Sequence, residues 1–336
     1  MYKRVGKKSR SLISDKLNAL KNWLTTFKGG LTLFCLILLF IIPIFTQNAY
    51  YLGIFISAMI FSIFAASWDL LAGYAGQVSF GHAVFFGISG YITSFFLRFL
   101  QFPWWISLFI GSIIAVLFGL LIGIPSLRVK GPYLALVTMV SGLILFSLFM
   151  MGELSEILGG TEGISQIRPI SENAVVSFYI ILIFMVSSLV VMVIISKSNL
   201  GTIFKAIRDD ETGAEASGIN ITKYKISAFV LSAFFAGIAG AFFAMHNRGV
   251  NPAVFQPLYS FYAIVMSSLG GIATIVGGAV GAFIFIFLTE LLRDFMDVSV
   301  LILSLILIGI IRFAEHGILR PAIERLKELY DILLGR

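Results

Sequence analysis

Uninterrupted apolar runs of 15 to 25 residues recur from Leu31 to Phe313, and they leave the chain very few architectures to choose from. A helix needs about 20 residues to cross a hydrocarbon core about 30 Å thick, and every backbone polar group in that core must be satisfied internally. Barrel strands alternate apolar and polar residues, whereas runs such as LTLFCLILLFIIPIF are apolar throughout. With 59% hydrophobic residues and a mean hydropathy of +0.99, the sequence reads as an all-α integral membrane protein, a polytopic bundle of about ten transmembrane helices.

The spans fall near 31–46, 51–68, 82–98, 104–124, 133–151, 174–196, 226–246, 258–275, 277–292 and 298–313. They divide the chain into a basic tail (1–30), a transmembrane domain (31–313) that includes a long polar loop (197–225), and a carboxyl-terminal tail (314–336). With the amino terminus inside, 20 of the 24 Lys and Arg are cytoplasmic: eight before the first span, Arg128 and Lys130, five in 197–225, and five from Arg312 onward. The opposite side receives Arg98, Arg168, Arg248 and Arg293, and its largest loop carries Glu153, Glu156, Glu162 and Glu172. This asymmetry follows the positive-inside rule and predicts that both termini are cytoplasmic. A single span over 258–292 would send the basic carboxyl terminus outside, so two short helices joined around the glycine-rich stretch 270–281 are expected. The 30 mostly polar residues before the first span are too long a lead for an ordinary signal peptide, and their charge reads as a membrane-side anchor rather than a nucleic-acid-binding arm. The single Cys35 has no disulfide partner in the chain and reads as a packing residue.

Small residues stand where helices can touch. Ala233, Gly237 and Ala241 repeat at four-residue intervals, as do Ala236, Gly240 and Ala244, and Gly277 with Gly281 makes another such pair. The segments AGYAGQVSFGHAVFFGISGY (72–91) and SLGGIATIVGGAVGAF (268–283) share a texture of glycines and short polar residues between apolar helices, which leaves a half-repeat open.

The chain has no GxxxxGK[ST] phosphate-binding loop, so any ATP it uses is hydrolysed by a partner. Asp69, Glu290 and His246 sit near span ends and read as snorkelling or interhelical hydrogen-bonding groups rather than as a proton relay. His82 opens a helix just after GQVSFG, where a structural hydrogen bond competes with a substrate role. There is no HExxH and no GxSxG, and three scattered histidines with one cysteine build no metal cluster, so an enzyme is not expected.

The polar loop is the other outstanding feature. Residues 196–225, SKSNLGTIFKAIRDDETGAEASGINITKYK, form a charge-dense island in a chain with only 12% charged residues. A short amphipathic helix from about Thr202 to Glu211, a turn near Gly213 and a second turn ending at Gly218 are expected. Neighbouring helices are commonly joined by about 2–8 residues, so a connection this long suits a cytoplasmic segment that docks on a soluble partner. In that reading Ile203, Phe204 and Ile207 supply the apolar anchors and the charges supply register.

Three ordered stretches, DLLAGYAGQVSFGHAVFFGISGY (69–91), GPYLALVTMVSGLILF with the downstream LGGTEGI (131–164), and FKAIRDDETGAEASGINITKYKISAFVLSAFFAGIAGAFFA (204–244) running on to NPAVF and SSLGGIATIVGGAVGA, carry a resemblance. The chain resembles the membrane permeases of ABC importers for branched-chain amino acids, of the LivM type, over nearly everything after the basic tail. The resemblance implies a permease subunit in the plasma (inner) membrane that works with a LivH-type permease, two cytoplasmic ABC ATPase subunits that bind ATP-Mg, and an extracytoplasmic binding protein. That protein delivers leucine, isoleucine or valine. No cofactor, metal or nucleic acid is expected on this chain itself. The island then corresponds to the coupling segment, with Phe204, Arg208, Asp209, Asp210, Glu211, Glu215 and Gly218 as its key residues. Glu215, Ala216, Ser217 and Gly218 stand in the EAA-like place, and Ser217 departs from the second alanine of the general pattern. Gln77, Ser79 and His82 in the first glycine segment, and Gly270, Gly271 and Thr274 in the second, are the candidates for lining the substrate path. Three rivals stay open: the same importer class with urea, short amides, other amino acids or sugars as cargo, an ion-coupled secondary carrier, and a non-transporting scaffold.

Overall fold

The computed structural model describes residues 27–126, 132–152 and 157–298, with scattered positions from 302 to 328. The expected basic tail up to residue 26, and most of the tenth expected span and of the carboxyl-terminal tail, lie outside the described residues. The chain forms two units, Met1–Gln47 with Pro321–Arg336, and Asn48–Arg320. In the first unit, helix α1 (Phe27–Phe45) carries an apolar stretch, Thr32–Phe45, shorter than a full crossing, with Pro43 near its end.

The second unit runs α2 (Ala49–Asp69), which continues through a π turn at Leu70–Tyr74, then α3 (His82–Arg98), α4 (Trp104–Ser126), α5 (Pro132–Met150) and α6 (Ala174–Lys197). Two short helices follow, α7 (Asn199–Asp209) and α8 (Glu211–Ala216), then α9 (Ile221–His246), α10 (Pro257–Gly270) and α11 (Ile275–Leu291). Five helices among the described residues are long and apolar enough to cross a membrane, or six if the α10–α11 pair, bent by 110°, counts as one broken span. The expected spans 82–98, 258–275 and 277–292 appear as helices of 17, 14 and 17 residues. Such lengths suit helices packed among neighbours rather than fully wrapped in lipid.

The core is built on α2, α3 and α9. Along its most apolar window α9 is 67% buried, against 22% for α5, so α9 is an interior helix and α5 presents much of its side to lipid or a partner. α9 packs on α4, α3 and α2, while α11, α6 and α10 also lie along α2. The small-residue stripes explain how α9 gets so close. A Cβ at Gly237 would stand 2.9 Å from Ser112 Cα of α4, and one at Gly240 would collide with the Phe86 carbonyl of α3. The two stripes therefore serve two different neighbours, and backbones approach to a distance that any larger residue would forbid.

Hydroxyls tie the helices where the contacts are too close for bulky side chains. Ser232 Oγ of α9 donates to Ser67 O (2.7 Å), Ser267 Oγ of α10 to Ala65 O (3.0 Å), and Ser62 Oγ of α2 to Ala279 O of α11 (3.0 Å). Each bond adds only about 0.6 kcal/mol in a membrane, but together they fix the rotation of three helices against α2.

At the end of the bundle that holds Arg98, His246 and Glu290, Ile164–Ser165 pairs antiparallel with Gly249–Val250, in the register Ile164 opposite Val250. Arg98 donates to Ser165 O (2.6 Å) and Arg248 pairs with Glu172 (3.1 Å), which pins the 157–173 loop to the helix ends. Arg293 and Tyr50 meet Glu290 here, so Glu290 is held in a surface polar cluster at the helix end.

Candidate functional site

The opposite end of the second unit gathers the π turn, the start of α3, the end of α6, α7 and α8, the start of α9 and the α10–α11 break. The island folds as two helices, but not over the expected residues. Ser198 leaves the helical region (φ −79°, ψ 175°) and α7 starts at Asn199, three residues before the expected Thr202; the Ser198 hydroxyl donates back to Ile195 O (2.7 Å) rather than capping α7. The break falls at Asp210, in extended conformation (φ −153°, ψ 101°), rather than at Gly213, because Ala214 N–H already donates to Asp210 O and draws Gly213 into α8. The turn that closes α8 ends as expected at Gly218 (φ 82°). Gly218 N–H donates to Glu215 O and Ile219 N–H to Ala214 O, the paired closure of a helix terminated by a left-handed glycine.

The island is fastened to the bundle at several points. Phe204 is fully buried, and Ile207 and Ala214 nearly so. Of the apolar residues expected to anchor a partner, Phe204 and Ile207 face the chain's own interior while Ile203 is part-buried, and the outward face carries Thr202, Lys205, Asp209, Glu215 and Ser217. Arg208 bonds Asp209 Oδ1 through Nε and Nη2 (2.9 and 2.8 Å), and its Nη1 donates to Gly73 O in the π turn (2.8 Å). Lys205 Nζ lies 5.2 Å from the Tyr74 ring centre. Glu211 at the start of α8 pairs with Lys225 of α9 at 2.8 Å, and the Lys225 side chain is almost wholly buried.

The expected substrate-path residues occupy two places that flank the same turn of α2. Gln77, Ser79 and His82 are buried, and Gln77 donates to Ala75 O (3.1 Å). His82 Nε2 lies 2.8 Å from Ser67 Oγ, and its ring packs on Phe64 with centroids 5.1 Å apart. Trp68 Nε1 donates to Ser79 O (2.8 Å), and Phe80 N–H to Thr138 Oγ1 (3.1 Å), so the 75–81 loop is wedged between α2 and α5. Among the described residues, Ser79 Oγ and His82 Nδ1 are buried without a hydrogen-bond partner. Gly270, Gly271 and Thr274 form the α10–α11 break, where Gly271 takes φ 112° and Thr274 Oγ1 donates to Gly271 O. Asp69, a residue given only a span-end role from the sequence, joins the two places. Its buried Oδ1 accepts the Ala273 N–H at 2.7 Å. Among the described residues, no group of three or more His, Cys, Asp or Glu side chains is placed to hold a metal ion.

Residues 50–314 match the family model described as branched-chain amino acid transport system / permease component. The chain belongs to this family. It is 28% identical over 298 residues to the high-affinity branched-chain amino acid transport system permease proteins LivM of Salmonella typhimurium and Escherichia coli. The match covers 80% of this chain and 70% of each relative. No solved structure shows significant similarity. The chain is thus a multi-pass inner-membrane permease subunit of a branched-chain amino acid ABC importer, not an enzyme.

Proposed function

We propose that this subunit passes leucine, isoleucine and valine from an extracytoplasmic binding protein into the cytoplasm, and that residues 197–225 couple it to ATP hydrolysis in partner subunits. A LivH-type permease completes the membrane pathway, and two cytoplasmic ATPases bind ATP-Mg. Ten spans with both termini cytoplasmic fit this arrangement, since 20 of 24 basic residues then lie inside.

One observation carries the coupling reading. The island is a pair of ordered helices seated against the bundle through Phe204 and Ile207, with a polar face left outward, which is the form of a transmitting element and not of a slack linker. Closure of the ATPases displaces α7–α8, and α6 and α9, which flank it, carry the displacement into a rigid-body rocking of the bundle. Among the described residues Ser79 Oγ and His82 Nδ1 have no hydrogen-bond partner, and His82 packs against Phe64 and Phe85, a setting suited to brief passage of a zwitterion with an aliphatic side chain.

The test is uptake of labelled leucine and of urea in cells lacking their own systems, with the partner subunits co-expressed. Leucine uptake is expected, and Phe204→Ala or Glu215→Lys should abolish it while the protein stays in the membrane. Urea uptake without leucine uptake would reassign the cargo, and uptake untouched by both substitutions would reject the coupling role. Accumulation by the purified chain alone in liposomes under an ion gradient would reject the ATP-driven mechanism.

A further inference from the structure

The π turn after α2 is in contact with both moving parts that a coupled importer needs, the island and the α10–α11 break. Arg208 of α7 donates to Gly73 O at 2.8 Å, and α7 lies so close to the turn that a Cβ at Gly76 would stand 2.9 Å from Arg208 Cγ. One turn earlier, the Asp69 carboxylate accepts the Ala273 N–H at 2.7 Å. Gly73 sits between these contacts. A Cβ there would collide with Asp69 Oδ1 and stand 2.7 Å from Ala273 N, so the turn and the break are in contact at backbone level.

Ala273 itself is held in the left-handed region, φ 62°. For a residue with a Cβ this costs about 1–3 kcal/mol and persists only where the surroundings over-determine it. Here Asp69 holds the Ala273 N–H, and the neighbouring Leu269–Gly271 stretch is held by the Gly317–Ile318 segment, whose Ile318 N–H donates to Leu269 O (2.8 Å). π turns inside helices are themselves uncommon and concentrate at functional positions.

We infer that Asp69 is a positioning residue of the transport cycle: with Gly73 and Ala273 it forms a clasp that passes movement of α7 to the α10–α11 break. The inference rests on the coupling role of α7–α8. Asp69 touches neither cargo nor nucleotide in this role; its carboxylate sets where the break sits relative to a turn that Arg208 grips.

The experiment uses the full complex of this chain, its partner permease, the ATPases and the binding protein, reconstituted in liposomes, with leucine uptake and ATP hydrolysis measured together. Asp69→Ala and Gly73→Ala are expected to lower leucine carried per ATP hydrolysed at least fivefold, with ATPase co-purification unchanged. Asp69→Asn keeps an oxygen that accepts the Ala273 N–H and is expected to restore most of the ratio. An unchanged ratio, or parallel loss of uptake and hydrolysis, overturns the clasp. A second measurement needs no variant: amide exchange of the native complex with and without a non-hydrolysable ATP analogue. Segments 199–216 and 269–275 are expected to change together. A change in the first without the second defeats the clasp alone, and no change in the first defeats the coupling role beneath it.

Discussion

Phe204→Ala separates the seating of the island from its contact with partners. Phe204 is fully buried, and truncating a buried phenylalanine to alanine costs about 3–5 kcal/mol. α7 has 11 residues, below the roughly 12–15 that hold a helix in water unaided, so the loss falls on the island and not on the bundle. The remaining ties, Arg208 to Gly73 O and Glu211 to Lys225, are already made in the native island and gain nothing from the substitution, so they do not offset the loss. At about 1.4 kcal/mol per tenfold, a loss of about 3 kcal/mol multiplies the opened island population about a hundredfold. Amide exchange across 199–216 should accelerate by about that factor in the isolated subunit, while 56–69 and 228–245 in the cores of α2 and α9 keep their protection. Phe204→Leu, a milder change of shape, should cost under about 1.5 kcal/mol and give at most about a tenfold effect. Unchanged exchange over 199–216 in Phe204→Ala, or equal acceleration in every segment, would refute the argument that Phe204 seats the island locally.

Gly240→Ala drives a Cβ into the Phe86 carbonyl and is expected to destabilise the bundle by about 1–3 kcal/mol, whereas Gly53→Ala, with its nearest neighbour at 3.6 Å, should be nearly neutral; thermal unfolding in detergent compares them. Glu211→Ala leaves the buried Lys225 ammonium unpaired and should cost about 3 kcal/mol, while Lys225→Met leaves a carboxylate that is 36% exposed and should cost about 1 kcal/mol or less, an asymmetry the same assay reads. Because the outward face of α7–α8 carries Lys205, Asp209 and Glu215, retention of the ATPases on the purified subunit should weaken as salt rises from about 0.1 M to about 1 M, over which the screening length falls from about 10 Å to about 3 Å. Salt-independent retention would point to an apolar contact instead.

The apolar run lengths made most of the helices and their order legible, because the length of a crossing helix is fixed by the bilayer. The glycine-rich stretch after Leu269 announced a break, since no other residue so readily takes the φ of 112° that Gly271 adopts. What escaped was direction. Ile203, Phe204 and Ile207 mark an apolar face on α7, but spacing does not say which body that face meets, and the structure turns Phe204 and Ile207 inward. Asp69 escaped for a different reason: its partner Ala273 is 204 residues away, and a backbone N–H leaves no mark in a sequence. The start of α7 escaped because no side-chain cap marks it: the Ser198 hydroxyl bonds back to Ile195 O instead of to α7.

The inward orientation of Phe204 changes what the island does mechanically. A helix that met its partner through large apolar side chains would be held more firmly by the ATPase than by its own subunit, and partner closure would tend to pull it free. With Phe204, Ile207 and Ala214 buried in the permease and charges outward, the proposed coupling role would place the stronger attachment at the bundle and the weaker, charge-read contact at the partner. In that proposal, a displacement imposed from outside would reach Gly73 through Arg208 and α9 through Lys225, two points on helices that already meet through Ser67 and Ser232. α2 and α9 would then receive the same push at the end of the bundle where the α10–α11 break lies, and the close glycine contacts along α9 would leave little slack for it to be absorbed before it reached α3 and α4.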